Sequence, residues 1–324
     1  LHSFPTRRSS DLETLRTRGA LVVTAPPGAG KTTRIPPALL EAGLVPRSLV
    51  LLQPRRVAAR AAARWMAEEN GWVLGREVGY QVRFEKRLAR DTRIQIVTEG
   101  VLSCRLQTDP FLEGVDLVVL DEFHLRSLEG DLCLAFLREL RRSLRPELRL
   151  LVLSATLCAA PVAAFLDCPA LELPGRAFPV EIHYAEKVSN EPVARRAARA
   201  ARQALAECGR GHVLVFLPGA REIREAASLL SDLPRVLPLH GSLPAEDQDR
   251  AVRPGADRAV ILATNGAETS LTIPGVAAVV DGGRQRLLCH DPSRGLDRLE
   301  TVWIARDAAE QRAGRAGRTG PGRV

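Results

Sequence analysis

Nine residues, Ala25-Pro26-Pro27-Gly28-Ala29-Gly30-Lys31-Thr32-Thr33, constrain this chain more than any other segment. They follow a short apolar, β-branched run, Ala20 to Thr24, and precede a stretch compatible with a helix. Glycines at 28 and 30 let backbone N–H groups approach a phosphate closely, and a helix N-terminus adds positive potential at the same place. Such a strand–turn–helix unit is a P-loop. It needs a buried parallel strand to launch it, so it implies an α/β layer structure. Lys31 is expected to reach the β- and γ-phosphates of a nucleotide and Thr32 to serve a Mg2+ ion. Gly28, Ala29, Gly30 and Thr33 complete the phosphate cradle. Ala25 stands where the strict pattern has glycine, a variation that leaves the later glycines intact.

Beyond this unit the same alternation continues. Leu-rich or β-branched runs at Ser48 to Gln53, Ile94 to Val97, Leu117 to Leu120 and Leu150 to Leu153 read as buried strands. Helical spacing separates them at Arg55 to Glu69, Gly100 to Thr108 and Asp131 to Arg145, the last with Leu132, Phe136, Leu137 and Leu140 on one face. The Pro- and Gly-rich stretch Leu173 to Pro179 interrupts the pattern and predicts a linker. A second set then begins. Its strands are expected at Val180 to Tyr184, His212 to Leu217, Val236 to Leu239, Ala259 to Ala263 and Val276 to Asp281. Its helices are expected near Pro192 to Cys208, Ala220 to Ser231 and Pro244 to Val252. The 324 residues thus divide into a first α/β domain over 13–178 and a second over 179–324, each long enough to bury its own core.

No apolar run approaches the roughly 20 residues that span a bilayer. The six cysteines are scattered, without a CxxC pair or histidines at zinc-ligand spacing, which predicts neither a metal nor a disulfide framework and favours a reducing, cytoplasmic compartment. A net charge of +8 favours a polyanionic partner. The chain does not begin with Met and stops just after a motif, so it reads as a fragment. Residues 1–12 are set apart, because Ser3 to Leu12 is similar to the translation of a DNA-sequencing adapter. Arg7-Arg8 does not open a twin-arginine export signal, since no apolar segment of the required length follows.

Asp121-Glu122-Phe123-His124 ends the run Leu117 to Leu120, where a parallel strand delivers residues to its carboxyl edge. Asp121 is suited to hold Mg2+ through water, and Glu122 to orient or deprotonate an attacking water while also facing the ion. Ser154-Ala155-Thr156 ends the next strand; its hydroxyls, with His124, are expected to couple the phosphate site to the second domain. Near the end, Gln311 to Arg318 reads QRAGRAGR. Extended as a helix, its arginines at 312, 315 and 318 fall on neighbouring faces, which would let two of them point at a transferring phosphate.

Taken together these motifs resemble the DEAH/RHA group of DExH-box helicases of superfamily 2, and the form DEFH resembles its bacterial HrpB-type branch. The likeness runs from residue 20 to 318 through QPRRVAAR (Gln53 to Arg60), GYQVRFE (Gly79 to Glu85), TEGVL (Thr98 to Leu102), VLVFLPG (Val213 to Gly219), LHGSLPAEDQ (Leu239 to Gln248) and Ala263 to Gly283. It implies two tandem RecA-like domains with ATP and Mg2+ at Lys31, Thr32, Asp121 and Glu122. Gln311, Arg315 and Arg318 would complete that site. It further implies that Pro54, Arg55, Arg56, Thr98, Glu99 and Gly100, with His240, Gly241, Thr264 and Asn265, line a groove for nucleic acid, with RNA favoured and DNA left open. Contacts there would go mainly to phosphate and sugar. Arg286 to His290 and Leu296 to Trp303 flank a turn and predict a β-hairpin, which the resemblance places near the duplex fork and which is expected to part the strands.

Two positions depart from the group's pattern: Leu125 stands in place of Glu after the DEFH motif, and Gly266 in place of an apolar residue after Thr264-Asn265. The implied activity is ATP-driven 3'-to-5' translocation and unwinding. Two other readings stay open at the level of sequence: a nucleic-acid-stimulated ATPase that translocates without separating strands, and a nucleic-acid-binding module with a vestigial P-loop.

Overall fold

Two parallel sheets absorb nearly all the apolar runs. The computed structural model describes residues 8–26, 29–155, 159–173, 178–185, 189–268, 271, 273–318 and 320–324. Contacts divide the chain into two compact units, residues 1–176 and 177–324.

In the first unit the order is α1 (Arg8–Arg18), β1 (Ala20–Thr24), α2 (Lys31–Glu41), β2 (Ser48–Gln53), α3 (Arg56–Asn70), β3 (Val78–Val82), β4 (Glu85–Arg87), β5 (Ile94–Thr98), α4 (Glu99–Thr108), β6 (Val115–Leu120), α5 (Leu128–Ser143), β7 (Arg149–Ser154), α6 (Ala159–Leu166) and β8 (Ala170–Glu172). α1 begins inside the segment that the sequence reading set apart. The sheet order is β4-β3-β5-β2-β6-β7-β1-β8, and only β4 runs antiparallel, against β3. Strands β2, β6 and β7 are buried almost throughout, as expected for a sheet covered on both faces. Leu21, Leu49, Leu51, Ile94 and Leu117 pack one side with α3, while Val50, Leu52, Val118 and Leu120 pack the other with α5.

On α5 the observed core face differs from the expected one. Cys133, Leu134, Leu137 and Leu140 are buried, whereas Leu132 and Phe136 are exposed. The helix starts three residues earlier than predicted, and its buried stripe follows Gly130, Cys133, Leu134, Leu137 and Leu140 at 3-4 spacing. Leu132 and Phe136 are rotated off that stripe.

The second unit runs β9 (Val180–Glu181), α7 (Val193–Glu207), β10 (His212–Phe216), α8 (Ala220–Leu229), β11 (Val236–Leu239), α9 (Ala245–Val252), β12 (Val260–Ala263), β13 (Val276–Asp281), β14 (Arg284–Asp291), β15 (Leu296–Trp303), α10 (Arg306–Ala313) and β16 (Gly322–Arg323). Its sheet order is β11-β12-β10-β13-β16-β9, with every pair parallel. β9 is shorter than the predicted Val180 to Tyr184, because its partner β16 supplies only two residues of pairing. Gly317 admits the chain here: an added Cβ would lie 2.8 Å from the Phe178 carbonyl oxygen and 2.7 Å from Val180 Cγ2. β14 and β15 pair antiparallel as a separate hairpin, from Arg284↔Trp303 to Asp291↔Leu296. Among the described residues no helix is long and apolar enough to cross a membrane.

Candidate functional site

The phosphate-turn residues sit where β1 hands over to α2. Gly28 lies outside the described residues. Gly30 caps α2 in the left-handed region, φ 75°, a conformation that a side chain would resist. Lys31 is buried, and its ammonium donates to the carbonyls of Ala25 and Pro26, the latter at 3.2 Å. Ala29, Thr32 and Thr33 are half-buried.

Asp121 leaves the end of β6 beside this turn and is 4% exposed. Its Oδ2 accepts from the Thr32 hydroxyl and from Gln53 Nε2, the latter at 2.6 Å, and its Oδ1 accepts from Glu122 N at 2.8 Å. Burial, then the neighbouring Glu122 charge, raises its pKa to about 6; the Thr32 hydroxyl, the Glu122 amide and Lys31 oppose that rise. A serine- or threonine-type hydroxyl touching a dry carboxylate beside a phosphate turn is the donor set that Mg2+ accepts with waters and phosphate oxygens. The residues present therefore fit the ion. They need no larger ligand cluster, and among the described residues no group of three or more His, Cys, Asp and Glu side chains gathers as one.

Glu122 adopts φ 53°, ψ 32°, left-handed for a residue that rarely goes there. Such backbone strain is kept where the surroundings over-determine it, commonly at functional sites. The turn sets Glu122 Oε2 3.3 Å from His124 Nε2. His124 Nδ1 accepts a hydrogen bond from Ala155 N at 3.2 Å, so the ring proton belongs on Nε2, facing the carboxylate. This joins the DEFH segment to the end of β7 through a backbone amide. Ser154 is fully buried, and its carbonyl accepts from Ala25 N at 3.1 Å; Thr156 lies outside the described residues. Leu125 closes a single 3-10 turn after Glu122.

The residues of the first unit expected to contact nucleic acid share one sheet edge. β2 and β5 are neighbours in register, Gln53↔Thr98, so Pro54, Arg55 and Arg56 emerge beside Thr98, Glu99 and Gly100. Glu99 Oε1 accepts from Ser127 Oγ at 2.8 Å, and Ser127 in turn caps α5 by accepting from Gly130 N. Burial raises the Glu99 pKa. The second unit repeats the arrangement: Leu239↔Ala263 pairing sets His240 and Gly241 beside Thr264 and Asn265. Burial, then Arg224, lowers the pKa of His240, whose Nδ1 lies 2.8 Å from Ser242 Oγ. Gly266 sits in a 3-10 turn, Asn265–Ala267.

The arginine segment departs from expectation. α10 ends at Ala313, so Arg315 and Arg318 leave it in turns rather than following as helical faces. Gln311 is buried within α10. Arg312 is fully buried, 2.9 Å from both Glu268 Oε2 and Asp281 Oδ1, with its guanidinium 4.8 Å from the Phe216 ring centre. Arg315 is directed inward: Nε donates to the Glu268 carbonyl at 2.7 Å, and its terminal nitrogens donate to the Glu268 and Leu271 carbonyls. These two carbonyls hold it there. Arg318 is half-buried.

Sequence reasoning gave no role to Gln53, Glu268 or Asp281. Asp281 had a legible signal, an acid ending a buried strand as Asp121 does. Gln53 had a weaker one, a polar residue closing SLVLLQ.

Two family descriptions match in tandem: DEAD/DEAH box helicase over residues 10–164 and helicase conserved C-terminal domain over 197–320. This chain belongs to the DEAD/DEAH box helicases. Among relatives in that family, ATP-dependent RNA helicase HrpB of Escherichia coli (strain K12) is 43% identical over 313 residues, 93% of this chain and 38% of the relative. The pre-mRNA-splicing factor ATP-dependent RNA helicase prp22 of Schizosaccharomyces pombe is 39% identical over 98% of this chain and 28% of its own length. A crystal structure of Escherichia coli DEAH/RHA helicase HrpB superposes with a TM-score of 0.86 at 40% identity, covering 97% of this chain and 41% of that one. The chain thus spans about two fifths or less of the length of these relatives.

Proposed function

We propose that this chain is the ATP-hydrolysing motor of an RNA helicase, coupling triphosphate cleavage to 3'-to-5' movement along one strand and to unwinding. The observation that supports this most is the convergence of Thr32, Asp121 and Glu122, from two separate sequence motifs, on one dry sheet edge beside Lys31. Similarity to named ATP-dependent RNA helicases supports the same reading and favours RNA.

In this reading Lys31 and the N–H groups of the turn hold the β- and γ-phosphates. Thr32 and Asp121 would hold Mg2+, with Glu122 reaching it through water; the ion would neutralise charge developing on the phosphates. Glu122 takes the proton of the attacking water at a carboxylate oxygen, with the His124 ring 3.3 Å from Oε2. Gln311, Arg315 and Arg318 are assigned to stabilise the transferring γ-phosphate. For Arg315 this requires exchanging the carbonyl partners described above. The groove residues contact the strand, mostly through phosphate and sugar. His124, Ser154 and Thr156 carry the phosphate signal outward, and the β14–β15 hairpin parts the duplex.

The test measures phosphate release with and without single-stranded RNA or DNA, alongside unwinding of RNA duplexes bearing a 3' or a 5' overhang. RNA-stimulated release and unwinding from the 3' overhang alone are expected. Lys31→Ala should abolish both, and Arg318→Ala should slow hydrolysis by about 10³-fold or more with ATP binding retained. Full turnover in Arg318→Ala, or hydrolysis indifferent to either polymer, would refute the reading.

A further inference from the structure

The carboxylate assigned to the ion is held from three directions, and one of them is the groove. Asp121 Oδ2 accepts both the Thr32 hydroxyl, from the phosphate turn, and Gln53 Nε2 at 2.6 Å, from the end of β2. Gln53 is 1% exposed and is followed immediately by Pro54-Arg55-Arg56. Only one residue, with its φ fixed by a ring, separates it from the groove arginines. The β2 and β6 strands pair Leu52↔Leu120, so Gln53 and Asp121 are the next residues out on adjacent strands, and the amide spans that gap.

The rest of the Gln53 side chain is not satisfied. Its Oε1 is buried without a hydrogen-bond partner among the described residues. A buried acceptor left unmet is a costly arrangement that ordinary packing avoids. Among the described residues the amide is thus held by Asp121 alone, and its register follows whatever moves the end of β2. A second tie runs parallel to it: Glu99, which opens α4 at the neighbouring strand end, accepts from Ser127 Oγ just beyond the DEFH segment. The stretch from Asp121 to Ser127 is therefore gripped near both its ends by residues adjoining the strand-contact positions.

We propose that Gln53 is a positioning residue that transmits strand binding at Pro54–Arg56 to the Asp121 carboxylate, so that bound RNA sets the geometry in which triphosphate is cleaved. The inference rests on the motor reading above. A shift of the β2 end on strand binding moves the Gln53 amide, which reorients Asp121 Oδ2 relative to Thr32, while the Glu122 amide on Oδ1 carries the movement to the neighbouring carboxylate. Coupling of this kind alters how far RNA accelerates hydrolysis without altering how tightly RNA is held.

The experiment titrates ATP hydrolysis by the intact protein with poly(U). Gln53→Met removes the amide at similar volume, and Gln53→Asn keeps the amide on a stem too short to reach. Both should lower the ratio of stimulated to unstimulated rate by about fivefold or more, while the poly(U) concentration for half-maximal stimulation stays within about twofold of the parent's. Arg55→Ala, a groove change, should instead raise the half-maximal concentration. An unchanged ratio in both Gln53 variants overturns the inference. So does a proportional fall of both rates, which would mark a purely structural role, or a rise in half-maximal concentration alone, which would mark an RNA contact. A measurement without substitution stands beside these: poly(U) added without nucleotide should change hydrogen exchange at the Glu122 amide, and no change there counts against the proposal. If the parent shows no stimulation by poly(U), the motor reading fails as well; if the parent is stimulated and the variants equally so, only this inference fails.

Discussion

Replacing Arg312 with Met removes the charge at the centre of the second unit while keeping a side chain of comparable length. The guanidinium, 1% exposed, lies 2.9 Å from carboxylate oxygens of Glu268 and Asp281, whose side chains are only 9% and 15% exposed. Without it two carboxylates share a dry site without the cation that pairs both, and losing one partner of a buried ion pair costs about 3–5 kcal/mol. The stacking on Phe216 adds about 1 kcal/mol, part of which the Met side chain restores through packing. A net loss of about 4 kcal/mol is a large share of the roughly 5–15 kcal/mol that stabilises a domain. In a unit of this size it corresponds to a fall in Tm of about 10 °C. Urea unfolding followed by circular dichroism should show a lower midpoint with an unchanged slope. Peptide-level hydrogen exchange should confine the loss to residues beyond 177. The triple variant Arg312→Met, Glu268→Gln, Asp281→Asn should recover most of the stability, because uncompensated charge rather than lost packing is the cause. A single variant within about 1 kcal/mol of the parent, or a triple variant no better than the single, would refute this reasoning.

Three further outcomes follow from the site and its supports. Deleting residues 287 to 300 should abolish duplex unwinding while RNA-stimulated ATP hydrolysis persists; retained unwinding would remove the hairpin from the mechanism. The raised Asp121 pKa, from 3.8 to about 6, means that burial favours the protonated acid, so its contribution is full below about 3.8 and is lost as pH rises through about 6. In chelator-containing, magnesium-free buffer, stability should therefore fall by up to about 3 kcal/mol between pH 4 and 7, and Asp121→Asn should flatten that slope; matching slopes would contradict the assignment. Ser127→Ala removes both the cap on Gly130 N and a donor to the half-buried Glu99, and should cost about 1–2 kcal/mol in urea melts, whereas a neutral substitution would show that the cap does not stabilise α5.

Much of the fold was legible because local physics fixed it. Runs such as SLVLLQ and VDLVVL can only be buried strands, and alternation with helical spacing calls for a parallel sheet. The phosphate turn and the DEFH segment were legible because glycine conformations and strand-end acids carry their chemistry in the residues themselves. α5 shows where that logic stops. Leu132 and Phe136 satisfy helical spacing as well as the true core residues do, and only the sheet's position decides which stripe is buried.

The arginine segment failed for a related reason. A triplet of arginines at spacing three gives no hint that the helix ends at Ala313, or that Arg312 and Arg315 turn inward to carboxylates and carbonyls more than 30 residues away in sequence. Long-range partners decide such directions, since a buried guanidinium goes wherever acceptors lie unmet. The sequence by itself determined the central strands of both sheets, their order along the chain and the chemical inventory of the strand ends. Tertiary structure alone decided which strands lie side by side, and hence that Gln53 bridges to Asp121 and His124 to Ala155. Strand adjacency in a parallel sheet depends on crossovers that skip positions along the chain, and no local propensity encodes which strand comes to lie next to which.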